Sequence, residues 1–381
     1  MAPQNKWKEI HCNVRFLTPA FLGDAEQKAR WRTPPFKALL RQWWRVAFAT
    51  KHQHAVTVAQ IRQAEGRLFG NAWLQRQDGG KTEADFSRSL VRLRLDDWSP
   101  GRLQRWGHLE LANIEHPEVT KPVKIGSHLY LGYGPLLYSG GTKLKRAPAI
   151  NAGEVVQLRL AVPEQEEEIT RCTLQLMHLY ATAGGRSRNG WGSFVLEPVP
   201  GTSAKPPIRN WRDALQLDWA HAIGQDDKGP LIWQTAEAYK DWRELMRDLA
   251  VIRIAVRTQF SLTGALTRHW LAYPVTGHSC ALWNATLRLP NSLRFKVRPS
   301  PENASQQVGV IFHMPCLPPE EFRPDQYKAD IERVWQQVHW LLDELTKDTR
   351  SRSFGACIQD NKWLQKVQPQ LANILLKRIR E

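Results

Sequence analysis

The stretch TPPFKALLRQWWR, residues 33–45, places cationic and aromatic side chains at helical spacing. Lys37, Arg41 and Arg45 recur every four residues and therefore share one helix face, and Trp44 falls beside them. A row of cations neutralises phosphates, and an indole ring stacks on a nucleobase. The spacing therefore predicts contact with a polyanionic strand. The alternatives are a solvated helix face and a Trp44 ring that is buried in a core or subunit contact.

A second candidate is GGRSRNGWGS, residues 184–193, in which four glycines fall within nine positions. Glycine lets backbone N–H groups approach an anion, and arginine adds bidentate donors for phosphate. The stretch lacks the Gly-Lys-Ser/Thr ending of a Walker loop and follows a predicted helix instead of opening one, so no nucleotide cofactor is expected. The residues predicted to hold a phosphate backbone are Gly185, Arg186, Ser187, Arg188, Asn189 and Trp191. A tight turn with surface arginines is the alternative.

The distribution of charge extends this prediction. The chain carries 53 Lys and Arg against 37 Asp and Glu, a formal charge of +16. Four long stretches contain no acid: 27–64, 119–153, 169–196 and 249–301. Stretches without acids are expected on a face that binds a phosphate backbone, because no carboxylate there repels the phosphates. The alternative interpretation is that they are ordinary surface patches that lack acids by chance. A tryptophan-rich carbohydrate-binding protein is disfavoured, because a sugar gives no reason to exclude carboxylates.

Composition also narrows the class of protein. No apolar run approaches the roughly 18 residues that a membrane span needs, and the first ten residues lack the apolar segment of a signal peptide. We therefore expect a cytoplasmic protein without a membrane partner. The five cysteines form no Cys-x-x-Cys pair and are expected to be free thiols. No group of side chains has metal-ligand spacing, so neither a metal nor another cofactor is expected.

Residues 1–200 are predicted to form one α+β domain. Thr33 is expected to cap its first helix. Apolar periodicity predicts strands at 8–17, 91–95, 128–133, 154–162 and 194–199, and helices at 33–47, 56–69 and 170–183. The basic order strand, helix, strand, strand, helix, strand is that of a ferredoxin-like or RNA-recognition-motif domain, with an insertion around 100–150.

Residues 201–381 are predicted to form a second, similar domain after a Pro- and Gly-rich boundary. The expected elements are helices at 233–249 and 325–345 and strands at 251–260, 292–298 and 308–314. Arg294, Lys296 and Arg298 alternate along one of these strands and are predicted to share a nucleic-acid-binding face. The predicted fold class is therefore α+β, with two tandem ferredoxin-like (RRM-like) domains and insertions.

Five short stretches occur along the chain: FLTPAFLG (16–23), residues 32–45, EGRLFG (65–70), YLGYG (130–134) and the glycine-rich loop. Together they resemble the RAMP superfamily of CRISPR proteins, and within it the family of the first-numbered RAMP subunit of type III-B (Cmr) effector complexes. The motifs cover about the first 200 residues. Two positions depart from the family pattern: Ala38 replaces a glycine, and Arg30 replaces an acidic residue.

The resemblance implies tandem RAMP domains and a non-catalytic role in antiviral defence. It implies binding of a CRISPR guide RNA near its 3′ region and of the complementary target RNA. The implied protein partners are other RAMP subunits and the large polymerase-like subunit of the complex. Arg30 and Arg32 join the predicted RNA-binding residues, since they lead into the motif of residues 32–45.

A RAMP endoribonuclease is the alternative function. Cleavage of RNA needs a base or acid near the scissile 2′-hydroxyl. Asp24 lies in the turn after the first strand, where backbone RAMP subunits carry a cleavage aspartate, and His11 lies on that strand. The competing interpretations are an ordinary turn residue for Asp24 and a sheet-surface residue for His11.

Overall fold

The computed structural model of the chain describes residues 6–78, 81–111, 113–119, 125–201, 206–260, 267–275, 278 and 280–380. The chain forms two compact units, and both are discontinuous in sequence. Unit 1 contains residues 1–104, 146–185 and 192–207, and unit 2 contains residues 105–145, 186–191 and 208–381. Residues 105–145, which the sequence places in the first predicted domain, cluster with unit 2.

The structure is mixed α+β, as predicted. Its α-helices are α1 (Thr33–Lys51), α2 (Val58–Phe69), α3 (Ser127–Gly132), α4 (Glu167–Tyr180), α5 (Trp211–Ala214), α6 (Trp242–Thr258), α7 (Lys328–Glu344) and α8 (Asn361–Lys366). Its first ten strands are β1 (Trp7–Phe16), β2 (Asn71–Asp78), β3 (Lys81–Ser87), β4 (Arg92–Leu95), β5 (Asn113–Ile114), β6 (Ile125–Gly126), β7 (Leu136–Tyr138), β8 (Thr142–Leu144), β9 (Val155–Pro163) and β10 (Phe194–Glu197). The remaining strands are β11 (Ile208–Asn210), β12 (Ile223–Asp226), β13 (Gly229–Pro230), β14 (Ile232–Thr235), β15 (Leu293–Pro299), β16 (Gln307–His313) and β17 (Leu376–Arg378).

Short 3₁₀ helices join these elements. They span Gly107–Leu109, Glu164–Glu166, Arg268–Trp270, Glu320–Phe322, Pro324–Tyr327, Thr349–Ser351, Phe354–Ala356 and Gln368–Leu371. No helix within the described ranges has the length and apolar character needed to cross a membrane.

Unit 1 is built on an antiparallel sheet with the spatial order β10-β1-β9-β4. Along the chain, α1 follows β1 and α4 follows β9, and these two helices pack on each other. In β1 the side chains of Ile10, Cys12, Val14 and Phe16 are buried, while the intervening polar residues face away. The alternation that predicts this strand therefore also separates a core face from a polar face of the sheet.

Unit 2 contains a four-stranded antiparallel sheet in the order β15-β16-β14-β17. Along the chain these strands run β14, α6, β15, β16, α7, β17. The four strands of each unit, numbered by sequence, therefore lie in the spatial order 4-1-3-2. The predicted inward residues of α7 are buried: Ile331, Val334, Trp335, Val338 and Leu342.

Three predicted elements of unit 2 are wrong. Residues 128–133 lie in and just after helix α3, not in a strand. Residues 233–249 begin as strand β14 and only then enter α6, and most of the predicted strand at 251–260 is the second half of α6. The β-branched residues of that half favour a strand locally, but burial of one long helix face outweighs that preference.

One predicted cap in unit 1 is also corrected. Thr33 is the first residue of α1, and the N-cap position belongs to Arg32, whose side chain makes no capping hydrogen bond. The proline pair that follows still occupies the first turn, as expected from its preset φ.

Candidate nucleic-acid interface

Unit 2 contains a cavity of about 930 Å³ that is rich in arginine. We call it the arginine cavity; its arginines are Arg186, Arg188, Arg253, Arg257, Arg268 and Arg288. The remaining polar side chains of its wall are His116, Glu118, Tyr130, Tyr133, Ser187, Asn189, Tyr273 and Asn291. Six guanidinium groups therefore face a single carboxylate among the described lining residues, so the wall has a strong positive charge.

The glycine-rich loop supplies two of these arginines and is fixed by its own polar contacts. The Asn189 side-chain amide donates to the carbonyl of Leu131 over 2.6 Å, and the Arg186 guanidinium donates to the carbonyl of Tyr133 over 2.6 Å. On the other side, the N–H of Phe295 donates to the carbonyl of Arg188 over 3.0 Å. The loop is thus held between the end of α3 and strand β15, and this position directs the side chains of Arg186 and Arg188 to the cavity.

Helix α6 supplies the next two arginines, which are one helical turn apart. The Arg253 Nη1 atom is buried and has no hydrogen-bond partner among the described residues. Burial, with a further contribution from the charge of Arg257, lowers the pKa of Arg253 to about 10. Burial also lowers the pKa of Arg186, again with a contribution from Arg257. The guanidinium groups of Arg186, Arg253 and Arg257 remain protonated at neutral pH. The cavity therefore holds like charges close together, and a bound anion would stabilise them.

The carboxylate of the cavity is already neutralised. Glu118 accepts a hydrogen bond from the Arg268 guanidinium, so this pair contributes little net charge. Arg288 donates to the carbonyls of Ala285 and Leu287 over 2.8 Å each, which fixes the guanidinium without cancelling its charge. Five of the six positive charges are therefore left without a carboxylate of the cavity wall.

His116 contributes a neutral side chain to the cavity. Burial lowers the pKa of His116 to about 4, because the effect of burial exceeds the opposing effect of Glu118. The Nδ1 atom accepts the N–H of Glu118 over 3.3 Å, which places the ring proton on Nε2. The imidazole is thus suited to donate a hydrogen bond and unsuited to accept a proton through Nδ1.

Tyr133 provides an aromatic surface at the cavity, since 61% of the residue is exposed. Tyr130 is more enclosed, and its hydroxyl lies 3.4 Å from Arg257 Nη1. Tyr273 is buried. An exposed ring beside guanidinium groups is an arrangement that binds a nucleotide through both base and phosphate.

The predicted stripe on α1 lines a separate cleft of unit 1, with a volume of about 720 Å³. We call it the helix cleft; its wall is formed by Thr33, Pro34, Lys37, Ala38, Arg41, Arg45, Val91 and Leu93. The three cations do share one face, as their spacing predicts. The structure groups them with each other, while Arg186 and Arg188 belong to the arginine cavity of unit 2.

Two of the three cations in the helix cleft are paired, a contact that the sequence did not predict. Glu65 of α2 is buried, and its carboxylate accepts from Arg41 Nε over 2.6 Å and from Arg45 Nε over 2.5 Å. Burial acts to raise the pKa of Glu65, but the hydrogen bonds and charges of the two arginines outweigh it and hold the pKa below its ordinary value. One carboxylate thus cancels part of the charge predicted for this stripe.

Four predicted contact residues are buried; Asn189, at 6% exposed, still lines the arginine cavity, and the other three are corrected to core positions. Trp44 is 2% exposed and stacks on Phe48 at a centroid distance of 4.8 Å, so its ring is closed to a base. Trp191 and Lys296 are each 0% exposed. The pKa of Lys296 is held well below its ordinary value by burial, an environment that excludes contact with a hydrated phosphate.

The glycine-rich loop uses its amides differently from the prediction. The N–H of Gly185 donates to Phe21 O over 2.9 Å, and the N–H of Asn189 donates to Arg186 O over 2.9 Å, so these amides are not available to a phosphate. A Cβ at Gly192 would lie 1.9 Å from the carbonyl oxygen of Ala183. Close packing against Ala183 therefore requires glycine at position 192, and the Gly185 and Asn189 amides are engaged within the protein.

The other predicted cations occupy varied surroundings. Arg30 is exposed and donates to the carbonyl of Trp98 over 3.1 Å, whereas Arg32 donates to the carbonyl of Gly23. Burial lowers the pKa of Arg294 to about 10, and Arg298 donates to Gln234 Oε1 over 3.2 Å. None of these four lines either of the two sites.

The candidate nuclease residues have local partners. The Asp24 carboxylate accepts the N–H groups of Glu26 and Lys28, each over 3.0 Å, which closes a turn. His11 lies on the polar face of β1, 3.1 Å from Glu9. Across the described ranges, no three His, Cys, Asp or Glu side chains are grouped to hold a metal ion.

Four arginines of the cavity were not among the RNA-binding residues predicted from the sequence: Arg253, Arg257, Arg268 and Arg288. The acid-free stretch 249–301 contains all of them. The incorrect strand at 251–260 hid the i, i+4 spacing that brings Arg253 and Arg257 onto one helix face. The predicted convergence of Lys37 and Arg41 with the loop arginines on a single surface stays a prediction.

No protein-family model and no curated protein matches the chain. Among solved structures, the chain is similar to Cmr1 from Pyrococcus furiosus in its apo form, with 15% sequence identity and a TM-score of 0.44. The match covers 82% of this chain and 89% of that chain.

Proposed function

We propose that this protein is a non-catalytic RNA-binding and architectural subunit of a type III-B CRISPR effector complex. The observation that carries the proposal is the arginine cavity, where six guanidinium groups surround one paired carboxylate. Such a cluster is stabilised by a bound polyanion and is unfavourable without one. The resemblance of five sequence motifs to RAMP proteins favours RNA as the polyanion.

The proposed architecture is a tandem of ferredoxin-like RAMP domains. Its support is the order 4-1-3-2 of four antiparallel strands in each unit; α1 and α2 follow the first strand and α4 the third in unit 1, and α6 and α7 follow the corresponding strands in unit 2. In this fold the loops between strands and helices are free to vary, and the arginine cavity is built largely from such connections and from α6.

The proposed ligands are a CRISPR guide RNA, near its 3′ region, and the complementary target RNA. Guanidinium groups recognise phosphates regardless of sequence, so base pairing between guide and target supplies the specificity. The proposed protein partners are other RAMP subunits and the large polymerase-like subunit. These assignments follow from the motif resemblance.

The non-catalytic role is supported by the contacts of the candidate nucleophile-activating groups. Asp24 uses its carboxylate to close a turn, and His11 is bonded to Glu9. In the arginine cavity, His116 already accepts a hydrogen bond at Nδ1. Nε2 of His11 and one carboxylate oxygen of Asp24 are thus engaged in local contacts, which gives these two residues ordinary places on a sheet face and in a turn.

The experiment that tests the proposal is purification of the chain with its native operon partners, followed by sequencing of the bound RNA. We expect CRISPR-derived RNA and a set of RAMP subunits. The purified chain should bind the same labelled RNA without producing fragments. Fragments that disappear in both Asp24→Ala and His11→Ala would establish the nuclease instead, and a preparation that retains no RNA at low salt would contradict the binding role.

A further inference from the structure

Besides Arg15, which is paired with Glu197, the polar face of the sheet in unit 1 carries three arginines that do not belong to the predicted RNA-binding set. They are Arg92 and Arg94 on β4 and Arg159 on β9, and all three are exposed. Arg94 and Arg159 are direct partners across the two strands. Arg92 and Arg94 are two residues apart on the same strand, so they point to the same face. We call these three residues the sheet-face arginines.

No carboxylate pairs with them among the described residues, although acids do lie on this face. Glu9 contacts His11 over 3.1 Å, and Glu197 is paired with Arg15 over 3.0 Å. The Arg159 Nε donates to the neutral side chain of Gln157 over 2.6 Å. Asp96, directly after β4, accepts the N–H of Gln157 over 2.8 Å, so the described acids near these arginines contact other groups and form no ion pair with them.

This arrangement costs stability. Cross-strand partners have Cβ atoms about 4.5–5.5 Å apart, and like charges at that distance destabilise a sheet. Charged side chains on an edge strand often prevent sheets from pairing edge to edge, and this role would explain the two arginines of the edge strand β4. That explanation does not extend to Arg159, because β9 is an interior strand with β1 on one side and β4 on the other.

One further contact limits the freedom of the cluster. The Arg92 guanidinium lies 4.5 Å from the centroid of the Trp7 ring, so a cation–π contact positions it. Trp7 is 37% exposed, and it and Val155 are the large hydrophobic residues that are exposed along β1, β4 and β9. A face with so little exposed apolar surface does not fit a lipid bilayer or an apolar protein interface.

We propose that the sheet-face arginines form a second nucleic-acid contact, which binds the phosphates of a single-stranded RNA segment. The backbone positions of the three arginines are separated by one strand spacing, about 4.8 Å, and by two residues along a strand, about 6.8 Å, and their long side chains extend from these positions. Groups at these distances reach about two or three successive phosphates. His11, the cross-strand partner of Arg159 on this face, is held by Glu9, so we expect the contact to bind the phosphate backbone rather than to stack a base.

This inference extends the proposed function, because it adds a site in unit 1 for the same class of ligand. The test is the binding of a fluorescein-labelled 20-nucleotide single-stranded RNA to the full chain, by anisotropy between 0.05 and 0.4 M salt. The variant is Arg94→Gln with Arg159→Gln, and the matched control is Arg62→Gln, which removes an exposed arginine from α2. Arg92 is kept so that its contact with Trp7 is undisturbed.

We expect the salt slope of log K to decrease by about 1.4, since each phosphate contact on a single strand contributes about 0.7. If both proteins bind the RNA equally at 1 M salt, the smaller slope makes the affinity of the variant about 25-fold lower than that of the unaltered protein at 0.1 M salt. The melting temperature should stay the same or rise, because a like-charge pair is removed. A purely structural role predicts a lower melting temperature and an unchanged slope.

A second measurement needs no variant. Phenylglyoxal modifies exposed arginines, and peptide mass spectrometry should find Arg94 and Arg159 protected by the RNA while Arg62 reacts freely. If the chain binds RNA but these two arginines stay reactive and the slope is unchanged, the inference is wrong and the proposed function stands. If no RNA binds, both fail. Equal protection by polyglutamate would identify an acidic protein partner and overturn the assignment to RNA.

Discussion

At the scale of single residues, the surroundings of an arginine decide what it can bind. Arg41 and Arg45 share the buried carboxylate of Glu65, whereas Arg253 has a buried Nη1 atom with no described partner and lies close to Arg257. The first two are partly neutralised inside the protein. Arg253 carries a charge that no acid among the described residues compensates. This charge lowers the stability of the free protein and favours binding of an anion.

Replacing Arg253 with methionine should therefore weaken RNA binding without lowering the free energy of unfolding. We expect the free energy of unfolding to stay the same or rise by about 1 kcal/mol, because a half-buried charge with no acid partner among the described residues is removed. The affinity for single-stranded RNA should fall, and its salt slope should decrease by about 0.7. Chemical denaturation and anisotropy titration measure the two quantities. A loss of stability with unchanged RNA affinity would assign Arg253 to structure alone.

Trp44 should behave in the opposite way. Its ring is buried against Phe48 and Phe69, so Trp44→Ala should reduce the free energy of unfolding by about 3–5 kcal/mol. The RNA affinity of the folded fraction should be unchanged, because no base reaches the ring. Trp44→Phe is the milder control. A stable variant with weakened RNA binding would restore the stacking role expected from sequence.

At the scale of elements, patterns with one strong period are predictable from sequence and competing preferences are not. Strand β1 follows from strict alternation, and α1 follows from apolar residues at helical spacing after a proline pair. Helix α6 is not predictable in this way, because its second half contains β-branched residues that favour a strand: Val251, Ile252, Ile254 and Val256. The overlooked signal is Asp241, whose side chain accepts the N–H of Arg243 and caps the helix.

The same difficulty affected the candidate sites. The Arg186 and Arg188 side chains were predicted to bind phosphate through the loop motif, but the α6 arginines depended on the helix assignment. The pairing of Glu65 depends on how α2 packs on α1, and sequence spacing within one helix carries no information about it. Long-range contacts between elements therefore account for the residues that were missed.

The contact between α1 and α2 gives a prediction at this scale. Glu65→Gln should lower the free energy of unfolding by about 1.5–3 kcal/mol, because hydrogen bonds to charged groups are lost. Since the pKa of Glu65 is lowered in the folded protein, its contribution is present at neutral pH and is lost as pH falls through that lowered pKa. Chemical denaturation at neutral and acidic pH measures both effects.

The same substitution tests whether the helix cleft binds RNA. Removal of the carboxylate frees the charges of Arg41 and Arg45, so RNA affinity at low salt should increase and the salt slope should become steeper. Glu167→Gln, which removes the acid of the Arg171 pair on α4, is a matched control. A destabilised variant with unchanged RNA affinity would show that the helix cleft is structural.

At the scale of the whole molecule, the excess of positive charge is organised by segment. The acid-free stretches of the sequence supply the arginines of the cavity, and the net charge of +16 favours association with any polyanion. A general attraction of this kind would be spread over many side chains. If the arginine cavity is the RNA site that we propose, a defined share of the binding instead depends on a few arginines of unit 2.

The salt dependence of RNA binding by the intact chain tests that claim most directly. The measurement compares the unaltered protein with Arg186→Gln/Arg253→Gln/Arg257→Gln, using one single-stranded RNA and anisotropy titrations from 0.05 to 0.4 M salt. We predict that the slope of log K against log salt decreases by about 2 in the triple variant, since three phosphate contacts are lost. A variant that stays folded and keeps the slope and affinity of the unaltered protein would contradict the assignment of RNA binding to the arginine cavity.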